Sequence, residues 1–217
     1  MSRFVDILER KEYSDLCRFS KEDLQYFTKY LFQVQKNVIK WKGNGLMKTN
    51  FTQTMYLQLL QELRPKTIIE FGTWQGGSAQ WLFDMSKAIG FTPTVHTFAN
   101  IDEIVTPLSE EIQFHIMDNY KVSEYVIPFK TLEHPILMIE DSHRNCLELL
   151  NKFKHFLLPG DYLILEDTHY SLFDYECKYD DTIKNFIHDN NFMVDCKYCD
   201  MFGYNMTDCV NSILKKF

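Results

Sequence analysis

Four carboxylate residues stand in two adjacent pairs, and each pair directly follows an apolar run. Glu140 and Asp141 follow PILMI, and Glu166 and Asp167 follow YLIL. If both runs are neighbouring parallel strands, their carboxyl ends meet at one edge of a sheet. Carboxylates gathered there would repel one another unless a cation lay between them. Oxygen donors suit a hard divalent ion, so the sequence predicts a metal site, with Mg²⁺ as its ion.

A histidine accompanies the first carboxylate pair. His143 lies two residues after Asp141 and can act as a general base near neutral pH, so it is the candidate catalytic residue. The competing interpretation is helix capping, with Asp141 or Ser142 as the cap of a helix over residues 143–158. Capping explains one carboxylate and not four, so we favour the metal.

A glycine-rich turn follows a third apolar run, TIIEF, and precedes a helical pattern. Its spacing, G-x-x-x-G-G, differs from the dinucleotide fingerprint G-x-G-x-x-G. Glu70, inside the run, disfavours an anionic ligand group and suits a cationic ligand with an uncharged nucleoside, such as S-adenosylmethionine. The alternative is a tight turn with a solvated Glu70. The candidate cofactor-binding residues here are Glu70, Gly72, Thr73, Gln75, Gly76, Gly77 and Ser78.

The elements that must position these residues alternate between short apolar runs and helical stretches from Lys66 onward. This pattern is typical of a parallel sheet buried on both faces. We predict a Rossmann-like α/β domain over residues 66–217 and an N-terminal helical extension over residues 1–65. The predicted strands of this seven-stranded, mostly parallel sheet are 67–71, 94–99, 112–117, 135–139, 162–165, 192–196 and 211–214, with the last at the edge. The predicted helices include 20–34, 52–63, 77–89, 146–158 and 182–189.

Composition excludes several classes of protein. The chain has 217 residues, with 23 basic against 30 acidic residues and a net charge of −7, which disfavours binding to nucleic acid. It has no apolar run of about 18 residues to span a membrane. The start, MSRFVDILERKEYSDL, lacks the apolar core of a secretory signal, so we expect a cytoplasmic protein with reduced thiols. In a strand, Cys196 and Cys199 would point to opposite faces, which argues against a metal site there.

Four segments in order, WKGNGLMK, RPKTIIEFGTWQGGSA, HPILMIEDSH and LLPGDYLILEDT, resemble the cephalosporin hydroxylase / rhamnosyl O-methyltransferase family. The resemblance covers residues 41–168. Members are class I S-adenosylmethionine-dependent methyltransferases with a divalent metal, and they form oligomers. The resemblance therefore implies a homo-oligomer and assigns three roles to nine positions: cofactor contacts from Glu70, Gly72 and residues 76–78, metal ligation by Asp141, Glu166 and Asp167, and a base at His143.

The chain departs from the family pattern at three places. Many relatives have Asp-x-x-His where this chain has EDSH, so either Glu140 or Asp141 could be the ligand. The second strand usually ends in an acid that holds the ribose, but here Ala99 and Asn100 stand there, with Asp102 further on. The loop SLFDYECKYDD is specific to this chain, and its Phe173, Tyr175 and Tyr179 could cover an acceptor.

Further candidates come from the resemblance. Asp118 follows the third strand, where class I methyltransferases often contact the adenine amino group, although it also fits an ordinary turn before Asn119. Trp74 and Gln75 could flank the methionine end, and Trp41 matches a family position near the cofactor. Both tryptophans could instead belong to the core.

These residues together predict methyl transfer from S-adenosylmethionine to a hydroxyl of a small molecule. The metal would bind the acceptor oxygen and lower its pKa, and His143 would remove the proton. A vicinal diol suits chelation, which favours a sugar or a glycosylated metabolite. Two alternatives stay open: a binding or scaffold protein that keeps the fold, and a non-haem iron hydroxylase.

Overall fold

The computed structural model describes residues 2–11, 39–168 and 181–217. Its strands are β1 (Phe4–Val5), β2 (Ile39–Trp41), β3 (Asn44–Leu46), β4 (Thr67–Phe71), β5 (Thr94–Ala99), β6 (Ile112–Ile116), β7 (Ile136–Glu140), β8 (Tyr162–Leu165), β9 (Phe192–Asp195) and β10 (Ile213–Lys216). Its α-helices are α1 (Asn50–Leu63), α2 (Gly77–Ile89), α3 (Cys146–Phe153), α4 (Asp181–Asp189) and α5 (Cys196–Cys199). Single 3₁₀ turns cover Ile7–Glu9, Asn119–Glu124 and Lys154–Phe156.

The main sheet contains eight strands in the order β1-β9-β10-β8-β7-β4-β5-β6. The five strands β6, β5, β4, β7 and β8 run parallel to one another. Every residue of β4, β7 and β8 is buried, because helices cover both faces of a parallel sheet. The Rossmann-like fold is confirmed, with β1 as an additional strand that pairs with β9.

The last strand is not at the edge of the sheet, so that part of the prediction is wrong. β10 pairs antiparallel with β8 on one side and with β9 on the other. Its Ile213 and Leu214 are fully buried, which an internal position explains. In the described part of the chain, β1 and β6 form the two edges.

The boundaries of several elements match the periodicity, and the others differ for local reasons. β4, β5, β8 and α2 cover the predicted residues. α1 begins two residues early because the Thr49 hydroxyl accepts a hydrogen bond from Thr52 N at 3.2 Å and caps the helix. α3 ends at Phe153 and continues only as a 3₁₀ turn. The predicted helix over 20–34 lies outside the described residues.

Cys196 and Cys199 form the one-turn helix α5 rather than the end of a strand, so the prediction that they point to opposite faces of a strand is wrong. Asp195 caps this turn by accepting a hydrogen bond from Lys197 N at 3.1 Å. Cys199 is buried and Cys196 is partly exposed. Burial raises the pKa of Cys199 to about 12, so this thiol keeps its proton at neutral pH.

No α-helix in the described ranges has both the length and the apolar character that crossing a bilayer requires. The division at residue 65 stays a prediction. The structure shows that residues on both sides of it enter the same sheet and the same site, since β1 pairs with β9.

Candidate active site

Sheet register brings the glycine turn and both carboxylate pairs to one edge. Phe71, at the end of β4, lies opposite Glu140, at the end of β7, and Glu140 lies opposite Leu165, at the end of β8. Beyond the strands, Asp141 N donates to Phe71 O at 2.8 Å, and Glu166 N donates to Glu140 O at 2.9 Å. The expectation that these segments meet is confirmed.

Three donor groups converge at this edge. His143 Nε2 lies 3.1 Å from Asp141 Oδ1 and 3.2 Å from Asp167 Oδ2. One ligand atom from each of the three residues lies within 4.8 Å of the other two. His143 and Asp167 have φ angles of 57° and 52°, a left-handed backbone conformation that residues other than glycine rarely adopt. Strained backbone of this kind tends to concentrate at functional sites.

The two carboxylates control the charge of His143. Burial opposes the imidazolium, but the hydrogen bonds to Asp141 and Asp167 outweigh burial and raise the pKa of His143 to about 12. With only protein groups around it, His143 therefore carries a proton at neutral pH. It can accept another group's proton only when a different cation balances the two carboxylates.

Glu166 lies beside this triad and is held by two residues that the sequence analysis did not identify. Its Oε2 accepts a hydrogen bond from Lys48 Nζ at 2.8 Å, and its Oε1 accepts one from the Tyr56 hydroxyl. Lys48 Nζ also contacts Asp141 Oδ2 at 2.7 Å. Burial disfavours the Lys48 ammonium, but Asp141 and Glu166 raise its pKa well above the usual value. Burial and then Asp141 raise the pKa of Glu166, and Lys48 is the largest influence that favours its charged form. The ligand role predicted for Glu166 stays a prediction.

The sequence held some signal for these two residues. Lys48 ends the first of the four family-like segments, WKGNGLMK, but no role was assigned to it. Tyr56 belongs to the apolar stripe of α1 and reads as a core residue by spacing alone. Neither position reveals its partners until the fold is known.

Glu140 shapes the turn that carries His143. Its Oε1 accepts hydrogen bonds from Ser142 N at 3.0 Å, from His143 N at 3.1 Å and from the Ser142 hydroxyl. Because this turn intervenes, α3 begins only at Cys146, with Asn145 as its N-cap. The alternative that Asp141 or Ser142 caps the helix is wrong. Of the two candidate ligands, Asp141 belongs to the triad, whereas Glu140 accepts hydrogen bonds from backbone amides of the turn.

Two buried polar atoms border the glycine turn, Glu70 Oε1 before it and Ser78 Oγ after it. Glu70 is fully buried, so the alternative of a solvated Glu70 is wrong. Its Oε2 accepts a hydrogen bond from Thr97 Oγ1 at 2.7 Å, and Thr97 Oγ1 also lies 2.7 Å from Thr73 Oγ1. Glu70 Oε1 and Ser78 Oγ make no well-formed hydrogen bond with any described residue, although the Ser78 hydroxyl lies close enough to act on the Glu70 carboxylate. Burial raises the pKa of Glu70, while Lys48 and, after it, the hydroxyls of Ser78 and Thr97 act in the opposite direction.

The glycines of the turn are needed because the chain packs closely on itself. A Cβ at Gly72, which has a φ of 113°, would lie 2.5 Å from Asp141 O. A Cβ at Gly77 would lie 2.1 Å from Gly45 O, on the β2–β3 hairpin. Gln75 also contacts this hairpin, since its Oε1 accepts a hydrogen bond from Gly45 N at 3.1 Å. Gly76 has a φ of 83° and caps α2.

The remaining predicted residues have structural partners. The Trp41 indole donates to Asp84 Oδ2 on α2 at 2.8 Å, which fixes the hairpin to that helix. The exposed Asp118 caps the turn after β6 by accepting a hydrogen bond from Tyr120 N at 2.9 Å. Their cofactor roles stay predictions. Phe173, Tyr175 and Tyr179 lie outside the described residues.

Within the described ranges, no acid at the end of β5 contacts a neighbouring element. Asn100 Oδ1 accepts a hydrogen bond from Asn119 N at 3.0 Å, and Asp102 Oδ1 accepts one from Ile104 N at 3.0 Å. Trp74, inside the glycine turn, has a φ of 44° and lies under Gly45 of the hairpin.

Comparison with known proteins identifies the family. A model of the Rhamnosyl O-methyltransferase/CmcI family matches residues 33–192. The chain belongs to this family. A rhamnosyl O-methyltransferase of Mycobacterium tuberculosis (strain H37Rv) is 31% identical over 124 residues, 52% of this chain and 50% of that protein. One from Mycobacterium leprae is 27% identical over 142 residues, 61% of this chain and 62% of that protein.

The chain spans about half the length of the M. tuberculosis relative it matches. Among solved structures, CmcI with Mg and S-adenosylmethionine has a TM-score of 0.68 and 26% identity, over 82% of this chain and 76% of that one. CmcI with S-adenosylhomocysteine has a TM-score of 0.63 and 24% identity, which supports the fold alone. These likenesses confirm the resemblance and the class I methyltransferase fold.

Proposed function

We propose that the protein is an S-adenosylmethionine-dependent, metal-dependent O-methyltransferase that acts on a hydroxyl of a small molecule. The observation that carries the proposal is the juxtaposition at one sheet edge. The Asp141–His143–Asp167 donor set follows β7 and β8. The adjacent β4 carries Glu70 just before the glycine turn, and the buried Glu70 Oε1 makes no well-formed hydrogen bond with a described residue.

The glycine turn fits the proposed cofactor. Buried polar atoms without partners are costly, so Glu70 Oε1 and Ser78 Oγ fit donors and acceptors supplied by a ligand. A carboxylate suits a ligand with a cationic amino group, and the methionine end of S-adenosylmethionine has one. The CmcI structure with the same fold holds S-adenosylmethionine, which supports the assignment.

The donor set also fits a divalent ion. Two carboxylates and an imidazole are ordinary ligands for such ions, and Mg²⁺ favours the oxygens. We assign Asp141 and Asp167 as the residues that hold the ion, with Glu166 as a further ligand. When bound, the ion would lower the pKa of the acceptor hydroxyl. The magnesium in the related CmcI structure supports this choice.

His143 serves as the base in this proposal. The turn closed by Glu140 aims its Nε2 between the two carboxylates, so a hydroxyl presented at this edge lies within reach of it. Near the glycine turn, Glu70, Thr97 and Thr73 form a buried chain of hydrogen bonds. The rhamnosyl relatives favour a sugar hydroxyl as the acceptor.

A calorimetric titration with S-adenosylhomocysteine, with and without Mg²⁺, tests the cofactor. We expect micromolar binding, and an absence of binding under both conditions contradicts the proposal. Transfer of a labelled methyl group to rhamnosides and other sugar diols then tests the reaction. Cofactor binding without transfer to any acceptor would instead support a binding or scaffold protein.

A further inference from the structure

Lys48 places a cation inside the carboxylate cluster. Its side chain is 1% exposed and lies in the short segment between β3 and α1. The ammonium contacts Asp141 Oδ2 at 2.7 Å and Glu166 Oε2 at 2.8 Å. It therefore bridges the carboxylate pair that ends β7 and the pair that ends β8.

Lys48 and Glu166 are buried and Asp141 is partly buried, so each of the three charges depends on the others for a partner. A buried charge without a partner is strongly destabilising, and removing one member of a buried ion pair leaves the other uncompensated. Without another cation, Asp141 and Glu166 therefore depend on Lys48. A divalent ion bound to Asp141 would satisfy the same carboxylates, and it would also be repelled by the ammonium.

We propose that Lys48 is a built-in cation that competes with the divalent ion for Asp141 and Glu166 and so sets the affinity of the metal site. The inference rests on the proposed function, which places the ion at this edge. Lys48 acts through the two carboxylates and is a positioning residue.

The hydrogen bonds of Glu166 and Asp141 show which contacts a divalent ion would compete with. Glu166 accepts a hydrogen bond from Lys48 on one oxygen and from Tyr56 on the other, so a metal ion would compete with these donors for both oxygens. Asp141 uses Oδ2 for Lys48 and Oδ1 for His143. Metal affinity is therefore lower than the number of carboxylates alone would give.

Substitution Lys48→Met tests this directly, because it keeps an unbranched side chain only one atom shorter and removes the charge. Mn²⁺ binding is measured by electron paramagnetic resonance on the full chain without acceptor. We expect at least tenfold tighter Mn²⁺ binding than in the wild type. We also expect a lower Tm without metal and a larger rise of Tm on adding Mn²⁺, which a merely structural role would not produce.

Lys42→Met is the matched control. Lys42 lies on the β2–β3 hairpin, and its Nζ is 2.8 Å from Asp84 Oδ1 of α2. The Lys42 side chain is 57% exposed. This variant loses the same charge and should bind Mn²⁺ as the wild type does. In the double variant Lys48→Met, Glu166→Gln, most of the affinity gain should disappear, since the freed Glu166 supplies it.

The alternative outcomes are decisive. If Lys48→Met binds Mn²⁺ no more tightly than the wild type, or neither binds it, the proposal is overturned. If only Lys48→Met binds Mn²⁺, Lys48 is the competing cation and the metal dependence proposed for the wild type fails. If Lys48→Met and Lys48→Gln both stay unfolded with saturating Mn²⁺, the proposal is also overturned, because the ion should replace the ammonium. S-adenosylhomocysteine binding tests the methyltransferase assignment separately.

Discussion

Substitutions Glu140→Gln and Asp141→Asn should separate the turn-forming carboxylate from the metal ligand. Both residues lie at the end of β7, and each substitution replaces one carboxylate with an amide of the same shape. Because the charge lost is the same, the difference between the two variants isolates direct ligation. We expect Asp141→Asn to bind Mn²⁺ at least tenfold more weakly than Glu140→Gln, a difference of about 1.4 kcal/mol or more.

The hydrogen bonds of Glu140 give the expected cost in stability. All three go to Oε1, and a glutamine oxygen still accepts them, so Glu140→Gln loses only their charge-assisted part, about 1 kcal/mol. Glu140→Ala leaves the partly buried amides of Ser142 and His143 without their acceptor and should cost roughly 2 kcal/mol or more. Chemical denaturation measures both values, and calorimetry or paramagnetic resonance measures Mn²⁺ affinity.

The opposite order would refute this assignment. If Glu140→Gln abolishes Mn²⁺ binding while Asp141→Asn retains it, Glu140 is the ligand and the turn it closes is incidental. Equal losses of Mn²⁺ affinity in both variants would show that binding depends on the total charge at this sheet edge and not on direct ligation by Asp141. Thermal unfolding of each variant without metal checks that any lost binding does not reflect an unfolded protein.

Three further predictions follow from the same contacts. Glu70→Gln should weaken S-adenosylhomocysteine binding at least tenfold by calorimetry, and Thr97→Val, which removes only the hydroxyl on Glu70 Oε2, should weaken it less. Gly77→Ala should cost about 2 kcal/mol or more in denaturation, because its Cβ would lie 2.1 Å from Gly45 O. Gly160→Ala, with no atom within 4 Å but a φ of 102°, should cost only about 1 kcal/mol. Burial, aided by His115, lowers the pKa of His96 to about 4 in the folded protein. As the pH falls, His96 in the unfolded chain therefore binds its proton at a higher pH than His96 in the folded chain. Stability should therefore fall as pH drops from about 6.5 to 4, by at most about 3 kcal/mol, and His96→Phe should flatten this part of the profile.

The sequence predicts the strands that form local patterns and fails where pairing between distant segments decides. β4, β7 and β8 are continuous apolar runs, so their buried, parallel arrangement could be expected. The insertion of β10 between β8 and β9 could not, because nothing in the run ILKK specifies which neighbours it pairs with. The same holds for β1, whose two residues are too few to show any period.

The same distinction between local patterns and contacts of distant segments applies to the site. Glu140, Asp141, Glu166 and Asp167 could be placed together because strand ends share an edge. Lys48 could not, since it lies 93 residues before Asp141 and 118 before Glu166 and comes from a loop. The individual tasks of the carboxylates also needed the fold, because adjacent residues at a strand end point in different directions.

The two parts of the chain that the sequence separates at residue 65 complete one another at the site. The hairpin packs so closely on the glycine turn that Gly45 and Gly77 both lack room for a side chain. The segment that follows the hairpin delivers Lys48 to Asp141 and Glu166, just beyond β7 and β8, and α1 delivers Tyr56 to Glu166. Removing this segment would therefore uncover the turn and leave Asp141 and Glu166 without their buried cation. The first 65 residues thus supply part of the site's chemistry, and the charge balance of the edge depends on both sides of that boundary.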